Sequence, residues 1–113
     1  MNLKPYCPVD IPLKIIGGKW KMLILWHLGI ATKRFNEIKK AIPEITEKML
    51  TKQLREMERD GVVHRKVYAE VPPRVEYKVT ELGKNLEPVI DALCCWGKEY
   101  ETYLVRDNQV TGR

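Results

Sequence analysis

The sequence lacks the features that mark membrane and secreted proteins. No apolar run approaches the roughly 20 residues that a membrane-spanning helix needs, so we expect no membrane association. The first ten residues, MNLKPYCPVD, contain no apolar signal segment. The three cysteines are an odd number, which does not predict a disulfide framework within one chain. The sequence therefore predicts a single domain over residues 1–113 in the reducing cytoplasm.

The sequence also lacks the groups that catalysis or metal binding needs. No CxxC motif, general base or oxyanion site accompanies Cys7, which argues against a small thiol oxidoreductase. His27 has no second ligand near it, and a packed, hydrogen-bonded histidine is the simpler interpretation. We therefore expect a protein that is not an enzyme and that holds no metal and no cofactor.

Basic residues, in contrast, are concentrated in one part of the chain. Residues 1–80 carry sixteen Lys and Arg against nine Asp and Glu, a net charge of +7. Residues 81–107 carry three against six, a net charge of −3. This asymmetry predicts a localised anion-binding surface rather than general solubilisation.

Residues 46–60, TEKMLTKQLREMERD, have the pattern of an amphipathic helix with defined ends. Thr46 predicts the N-cap, and Gly61 predicts the left-handed residue that ends the helix. At about 100° per residue, the apolar side chains of the segment fall on one side. They are Leu50, Leu54 and Met57.

The opposite side of this helix is basic. Four cations stack within a narrow arc, with Thr51 beside them: Lys48, Lys52, Arg55 and Arg59. A solvated helix face would ordinarily mix the signs of charge, because ion pairs at i and i+4 are stabilising. Aligned like charges repel, so a polyanion lying in this arc is the simplest partner. A solvated basic face on a core helix is the alternative.

The segments before this helix predict three further helices. They cover residues 11–16 with Asp10 as the cap, residues 19–28 as a central core helix, and residues 34–42 after a turn at 29–33. The third of them exposes Lys39 and Lys40. A short helix and a longer basic helix joined by a tight turn form the helix-turn-helix pattern.

The periodicity then changes from helical to alternating. Val75, Tyr77 and Val79 alternate with charged residues, which predicts a half-buried strand, and residues 63–68 are its antiparallel mate. A two-stranded ribbon that directly follows a recognition helix is called a wing. We predict one over about residues 62–79.

Basic side chains of the wing are candidate DNA contacts. Arg74, beside the proline-rich tip, is predicted to enter a minor groove, where narrow stretches concentrate negative potential. A surface arginine in an ordinary hairpin is the alternative. Arg65 and Lys66 either meet phosphates or pair with Glu76.

The last part of the chain predicts a helix over about residues 80–106. Its apolar residues recur at spacings of 4 and 3, a heptad pattern: Leu82, Leu86, Val89, Leu93, Trp96, Tyr100 and Tyr103. A second apolar stripe widens this seam, and Pro88 is expected to kink or divide the helix. One small core cannot hide both stripes, so we expect a twofold homodimer in which Leu86 to Tyr103 contact a partner helix. The residues from 107 onward are expected to fray.

The predicted elements are mainly α with a small antiparallel β-wing, in the order of a winged helix-turn-helix. The sequence also resembles the HxlR family of bacterial and archaeal transcription regulators, relatives of the MarR group. The matching stretches are CPVD at 7–10, IGGKWKMLIL at 16–25, RFNEIKKAIPEITEKMLTKQLREMERDGVVHR at 34–65, VPPRVEYKVTELGKNLEPVI at 71–90 and the tryptophan at 96. The resemblance implies dimerisation through the terminal helices and a double-stranded DNA operator that is at least partly palindromic.

The resemblance also implies roles for individual residues. Carried over by position, it puts Lys48, Thr51, Lys52 and Arg55 on the DNA-facing side of the recognition helix and Arg74 at the wing. Lys52 or Arg55 is expected to contact guanine, and three further cations are expected to contact phosphates, which position the protein without reading sequence. These three are Lys39, Lys40 and Arg59.

Cys7 is the candidate regulatory thiol. It lies three residues before Asp10, where the free N–H groups of a helix start would stabilise a thiolate and raise its reactivity. Several HxlR-type regulators resemble this chain in carrying an N-terminal cysteine that senses oxidants or electrophiles, in some through a disulfide to the other subunit. The resemblance thus implies an oxidant or small-molecule effector. Cys94 or Cys95 is the candidate partner of Cys7 in a disulfide between subunits. Inert packing is the alternative for these two cysteines.

We therefore expect a sequence-specific, homodimeric DNA-binding regulator that represses transcription and is switched by modification of Cys7. The alternative is a winged helix that contacts other proteins and has no DNA affinity.

Overall fold

The computed structural model describes residues 8–111, with side chains through residue 107. Six helices and three strands follow one another within this part of the chain. They are α1 (Asp10–Ile16), α2 (Lys21–Ile30), β1 (Lys33–Arg34), α3 (Phe35–Ala41), α4 (Glu47–Arg59), β2 (Val63–Tyr68), β3 (Arg74–Val79), α5 (Glu81–Lys84) and α6 (Glu87–Thr111). The predicted fold class is confirmed, since the chain is mainly α with a small antiparallel sheet.

Helix α4 has the boundaries that its sequence predicts. The Thr46 hydroxyl accepts a hydrogen bond from the Met49 amide at 3.1 Å, which makes it the N-cap. Gly61 follows the helix with φ of +82°, a conformation that glycine adopts without steric cost. The apolar side of α4 lies in the core, whose most deeply buried residues include Ile24, Ile38, Leu50, Leu54 and Met57, and α4 also contacts β2.

Helix α2 differs from the central core helix predicted over residues 19–28. It runs over Lys21–Ile30 and buries only one face. Leu23 and Trp26 are exposed, and 64% of the Ile30 surface is exposed. The apolar composition predicted burial of the whole helix, but residues 8–111 leave the second face of α2 exposed. That face is therefore available to a partner.

The wing belongs to a three-stranded antiparallel sheet in the order β1-β3-β2. Strands β2 and β3 pair as predicted, with Val63 opposite Val79. The turn predicted for residues 29–33 instead leads into β1, in which Lys33 and Arg34 pair along β3. A strand of two residues has no detectable period, so the alternation of the sequence could not predict it.

The C-terminal segment is divided, as Pro88 predicts. Helix α5 ends at Lys84, and α6 begins at Glu87 with Pro88 in its first turn, where a missing N–H is tolerated. The 25 residues of α6 extend about 37 Å. The radius of gyration is 17.5 Å, whereas a compact chain of this size has a value of about 13 Å. Among the α6 side chains through residue 107, only Ile90 near the start of the helix is buried, so most of the helix projects from the body.

Thr80 connects the end of α4 to the start of α5. Its hydroxyl donates to the Gly61 carbonyl at 2.6 Å and accepts from the Gly83 amide at 3.0 Å. Its own amide donates to the Val62 carbonyl at 3.1 Å. A Cβ added at Gly83 would meet that same carbonyl oxygen, so α5 lies directly against the backbone. We call this arrangement the Thr80 joint.

Two helix ends differ from the prediction. Asp10 is the first residue of α1 and not its cap, because Val9 occupies the N-cap position. Helix α6 continues to Thr111, whereas fraying was expected from residue 107.

Within the described residues, no helix is both long and apolar enough to cross a membrane.

Candidate nucleic-acid interface

The cations of α4 form one exposed surface, which we call the basic ridge: Lys48, Lys52, Arg55 and Arg59. The ridge faces solvent because Leu50, Leu54 and Met57 hold the opposite side of the helix in the core. Thr51 lies half-buried at its edge. The structure therefore brings together all five recognition-helix residues that the helical period predicted.

The carboxylates of α4 lie beside the basic ridge rather than within it. Glu56 pairs with Lys21 of α2, with Nζ and Oε1 2.8 Å apart. The hydrogen bond from Lys21 is the main reason why the pKa of Glu56 lies below its usual value, and it outweighs the opposing effect of desolvation. Asp60 lies 3.7 Å from Arg59. Among the described residues, no carboxylate forms an ion pair with the other three cations of the ridge.

A concavity of about 350 Å³ lies between α4 and the wing, and we call it the niche. Its lining residues are Thr51, Leu54, Arg55, Glu58, Arg65 and Tyr77. Arg65 and Tyr77 are opposite each other on β2 and β3. Two guanidinium groups and two hydroxyls face a single carboxylate, so the niche is rich in donors, as contacts to phosphate oxygens require. The alternating pattern assigned Tyr77 to the buried face of its strand, and Tyr77 does pack against the core. The pattern did not indicate that Tyr77 also lines the niche.

Arg74 is held within the wing. Its guanidinium pairs with Glu70 at 3.0 Å and with Glu76 at 3.1 Å. It also lies over the ring of Tyr68, 3.8 Å from the ring centroid. The Glu76 carboxylate thus pairs with Arg74. One of the two predictions for Arg65 and Lys66, that they pair with Glu76, is therefore wrong. A minor-groove contact by Arg74 would require DNA to replace the two carboxylates.

Helix α6 exposes an aromatic face. Trp96 stacks on Tyr100 with ring centroids 5.2 Å apart, and Tyr100 stacks on Tyr103 at 5.7 Å. The exposed fraction is 60% for Trp96 and 58% for Tyr103. Val89 and Leu93 continue this exposed stripe toward the body, whereas Leu86 packs against the core. A monomeric soluble protein rarely exposes an apolar stripe of this kind.

Residues 15–104 match the model of the HxlR-like helix-turn-helix family. The chain belongs to this family. The match covers every element from the end of α1 to most of α6. The resemblance noted in the sequence is thereby confirmed.

Three known proteins illustrate the similarity. The uncharacterized helix-turn-helix-type transcriptional regulator YdeP of Bacillus subtilis (strain 168) is 59% identical over 95 residues, which are 84% of this chain and 74% of YdeP. The redox regulator HypR in its reduced form has a TM-score of 0.83 at 48% identity, over 88% of this chain and 99% of HypR. Its oxidised form gives 0.78 at 52% identity, over 82% and 96%. A protein assigned to the MarR family from Enterococcus faecalis V583 gives 0.79 at 38% identity, over 94% and 99%.

These relatives establish the general class of the HxlR-like chain. It is a transcriptional regulator with a helix-turn-helix, formed by α3 and α4. Its family and its relatives are regulators and not enzymes, which confirms the expectation drawn from the missing catalytic groups.

The two lysines of α3 in this HxlR-like protein have different surroundings. The ammonium of Lys39 donates to the Pro43 carbonyl at 3.0 Å and is half-buried at the end of α3. Lys40 is exposed and points away from the core. A phosphate contact therefore requires no rearrangement at Lys40, whereas Lys39 already has a backbone partner.

Two of the three cysteines lie in the described part of the chain. Cys94 and Cys95 are free, exposed thiols on α6. The candidate regulatory thiol, Cys7, lies outside the described residues.

His27 packs edge-on against Trp26. Its partial burial and the nearby charge of Lys33 lower its pKa. In residues 8–107, no three His, Cys, Asp or Glu side chains are grouped so that they could hold a metal ion.

Proposed function

We propose that this HxlR-family regulator is a cytoplasmic homodimer that binds a specific double-stranded DNA operator and represses transcription there. The observation that carries the proposal is the basic ridge. It is a row of exposed cations on the second helix of a helix-turn-helix, anchored from behind by buried leucines. A helix of this length fits the major groove, where each base pair presents a distinct pattern of donors and acceptors.

The roles of the ridge residues follow from their chemistry. Arg55 or Lys52 contacts guanine O6 and N7, worth about 1–3 kcal/mol of discrimination for a good bidentate pair. Lys48 and Thr51 lie beside them and complete the base-facing surface. Arg59 and Lys40 contact phosphates, and Lys39 does so if it exchanges its carbonyl partner. These contacts position the helix without reading sequence.

The niche adds a second set of backbone contacts in this proposal. A phosphate seated between α4 and the wing would meet both Arg55 and Arg65, with the Tyr77 hydroxyl as a third donor. Arg74 reaches the minor groove once DNA displaces Glu70 and Glu76. The paired state of Arg74 in the free protein keeps the wing ordered before binding.

The proposed dimer forms along the aromatic face of α6. The stacked rings from Trp96 to Tyr103, with Val89 and Leu93, would be covered by the same helix of a second copy. The exposed face of α2 lies beside the start of α6 and extends the apolar area. Aromatic residues of this kind commonly supply most of the binding energy of an interface.

Salt dependence tests the DNA-binding proposal directly. A dimer in which Lys40, Arg59, Arg65 and one of Lys52 and Arg55 meet phosphates in each subunit neutralises about eight of them and should show a slope of log affinity against log salt near −7. The measurement is fluorescence anisotropy with a duplex from the DNA flanking its own gene, between 50 and 200 mM salt, where we expect a loss of about 10³–10⁵-fold. A folded dimer that binds no such duplex would instead support the alternative, a winged helix for protein–protein contact.

We propose further that oxidation of Cys7 releases the operator. HypR, a relative by structure, is named a redox regulator and is known in an oxidised and a reduced form. Diamide, which takes two hydrogens as two thiols join in a disulfide, should weaken DNA binding at least tenfold in the wild type and leave Cys7→Ser unchanged. Cys94→Ser and Cys95→Ser test the two candidate disulfide partners of Cys7, and a non-reducing gel shows whether either one forms the disulfide. Equal affinity before and after diamide in the wild type would eliminate the switch.

A further inference from the structure

Lys21 is the one buried charged residue in the part of the chain that the structure describes, with 8% of its surface exposed. It is the first residue of α2, and its ammonium nitrogen lies 2.8 Å from a carboxylate oxygen of Glu56 on α4. Taking an ammonium group out of water is unfavourable, and an apolar residue of similar volume is often at least as stable in such a place. Stability alone therefore does not account for the lysine.

Glu56 has two ridge cations within reach along its own helix. It lies four residues after Lys52 and three residues before Arg59. Both spacings bring side chains together on an α-helix and permit ion pairs. Among the described residues, however, the ion pair of Glu56 is with Lys21 of α2. The carboxylate is thus held by Lys21 on the α2 side of α4, while the charges of Lys52 and Arg59 act on it without forming an ion pair.

We propose that Lys21 is a positioning residue for DNA binding, which holds the Glu56 carboxylate on the α2 side, so that it pairs with neither Lys52 nor Arg59 and leaves Lys52 free to meet phosphates. The inference rests on the proposed DNA-binding function. Without the ammonium group, Glu56 pairs with one of the two ridge cations. That pair competes with DNA phosphate and lowers the number of counterions released on binding.

Lys21→Met tests the inference, because methionine keeps an unbranched apolar stem and removes the charge. We expect roughly tenfold weaker binding to the duplex from the DNA flanking its own gene at 0.1 M salt. With one cation neutralised on each α4, the salt slope of the dimer should become shallower by about 1.8. Adding Glu56→Gln to Lys21→Met should restore the slope and most of the affinity, since the amide carries no charge.

Lys84→Met is the matched control. It removes the same charge from an exposed ion pair on α5, in which Lys84 lies 3.5 Å from Glu81. We expect a slope and an affinity close to those of the wild type. Thermal unfolding and sedimentation show whether each variant is folded and dimeric. If Lys21→Met does not fold, Lys21→Gln replaces it, with a smaller change in slope in the same direction.

The outcomes separate this inference from the function on which it rests. Wild-type binding with an unchanged slope in the Lys21 variants overturns the inference alone. Weak binding of both the single and the double variant, at the wild-type slope, also overturns it, because Lys21 would then only support the packing of α4. A wild-type dimer without DNA affinity overturns the proposed function instead.

Discussion

Replacing Trp96 with aspartate is expected to convert the dimer into monomers and to lower operator affinity by about 10²–10⁴-fold, which is the gain that a second linked binding site typically provides. Trp96 lies in the middle of the exposed stripe of α6, stacked on Tyr100. A carboxylate at this position would be taken out of water by the partner helix without a compensating charge. Each monomer would keep its basic ridge but would contact only one half-site.

Thr102→Asp is the control for this experiment. Thr102 is exposed on another side of α6, where its hydroxyl donates to the Lys98 carbonyl at 3.1 Å. It introduces the same carboxylate into the same helix but outside the stripe. Analytical ultracentrifugation and anisotropy with the same duplex measure both properties. A monodisperse dimer of the Trp96→Asp variant would refute the α6 interface.

The second large effect is expected from Lys52→Ala combined with Arg55→Ala. These substitutions remove one phosphate contact and one base contact from each subunit of the dimer, so the salt slope should become shallower by about 1.8. If Arg55 reads a guanine, its loss should cost a further 1–3 kcal/mol or about 5–150-fold, and should relax the preference at that base pair. Both side chains are exposed, so folding and dimerisation should be unaffected.

Lys14→Ala combined with Lys98→Ala serves as the comparison, since these exposed lysines lie on α1 and α6 rather than on α4. The overall charge change is the same. We expect at most a small loss of affinity and a nearly unchanged slope. Equal effects of the two double variants would show that DNA responds to net charge alone, and the assignment of the basic ridge would be wrong.

Helix α4 could be predicted almost completely from its sequence. Its cap, its end and both of its faces follow from rules that act over a few residues, and Thr46 and Gly61 satisfy them as expected. The candidate recognition surface was therefore predictable, because side chains on one helix have a fixed angular relation. The division of the C-terminal segment just before Pro88 was also predictable, because the effect of a proline on a helix is local.

Features that depend on tertiary contacts could not be predicted in this way. The ion pair between Lys21 and Glu56 joins side chains far apart in the sequence, and no local pattern indicates it. Arg74 was predicted to enter a minor groove, and its ion pair with Glu70 at the wing tip was not foreseen. Helix α2 was expected to be central because it is apolar, and the composition alone does not tell whether its own chain or a partner covers Trp26.

The Thr80 joint leaves little freedom between α4 and the helices that follow it. Its hydroxyl donates to the carbonyl of Gly61, just after α4, and accepts from the Gly83 amide of α5, so the direction of each recognition helix is coupled to that of α5, which leads into α6. In the proposed dimer, the protein and not the DNA then sets the distance between the two helices. Half-sites on B-DNA that face the same way repeat about every 10–10.5 base pairs. Such a dimer measures the length of its operator, and half-sites displaced by about five base pairs would lie on opposite sides of the duplex, where only one could be occupied.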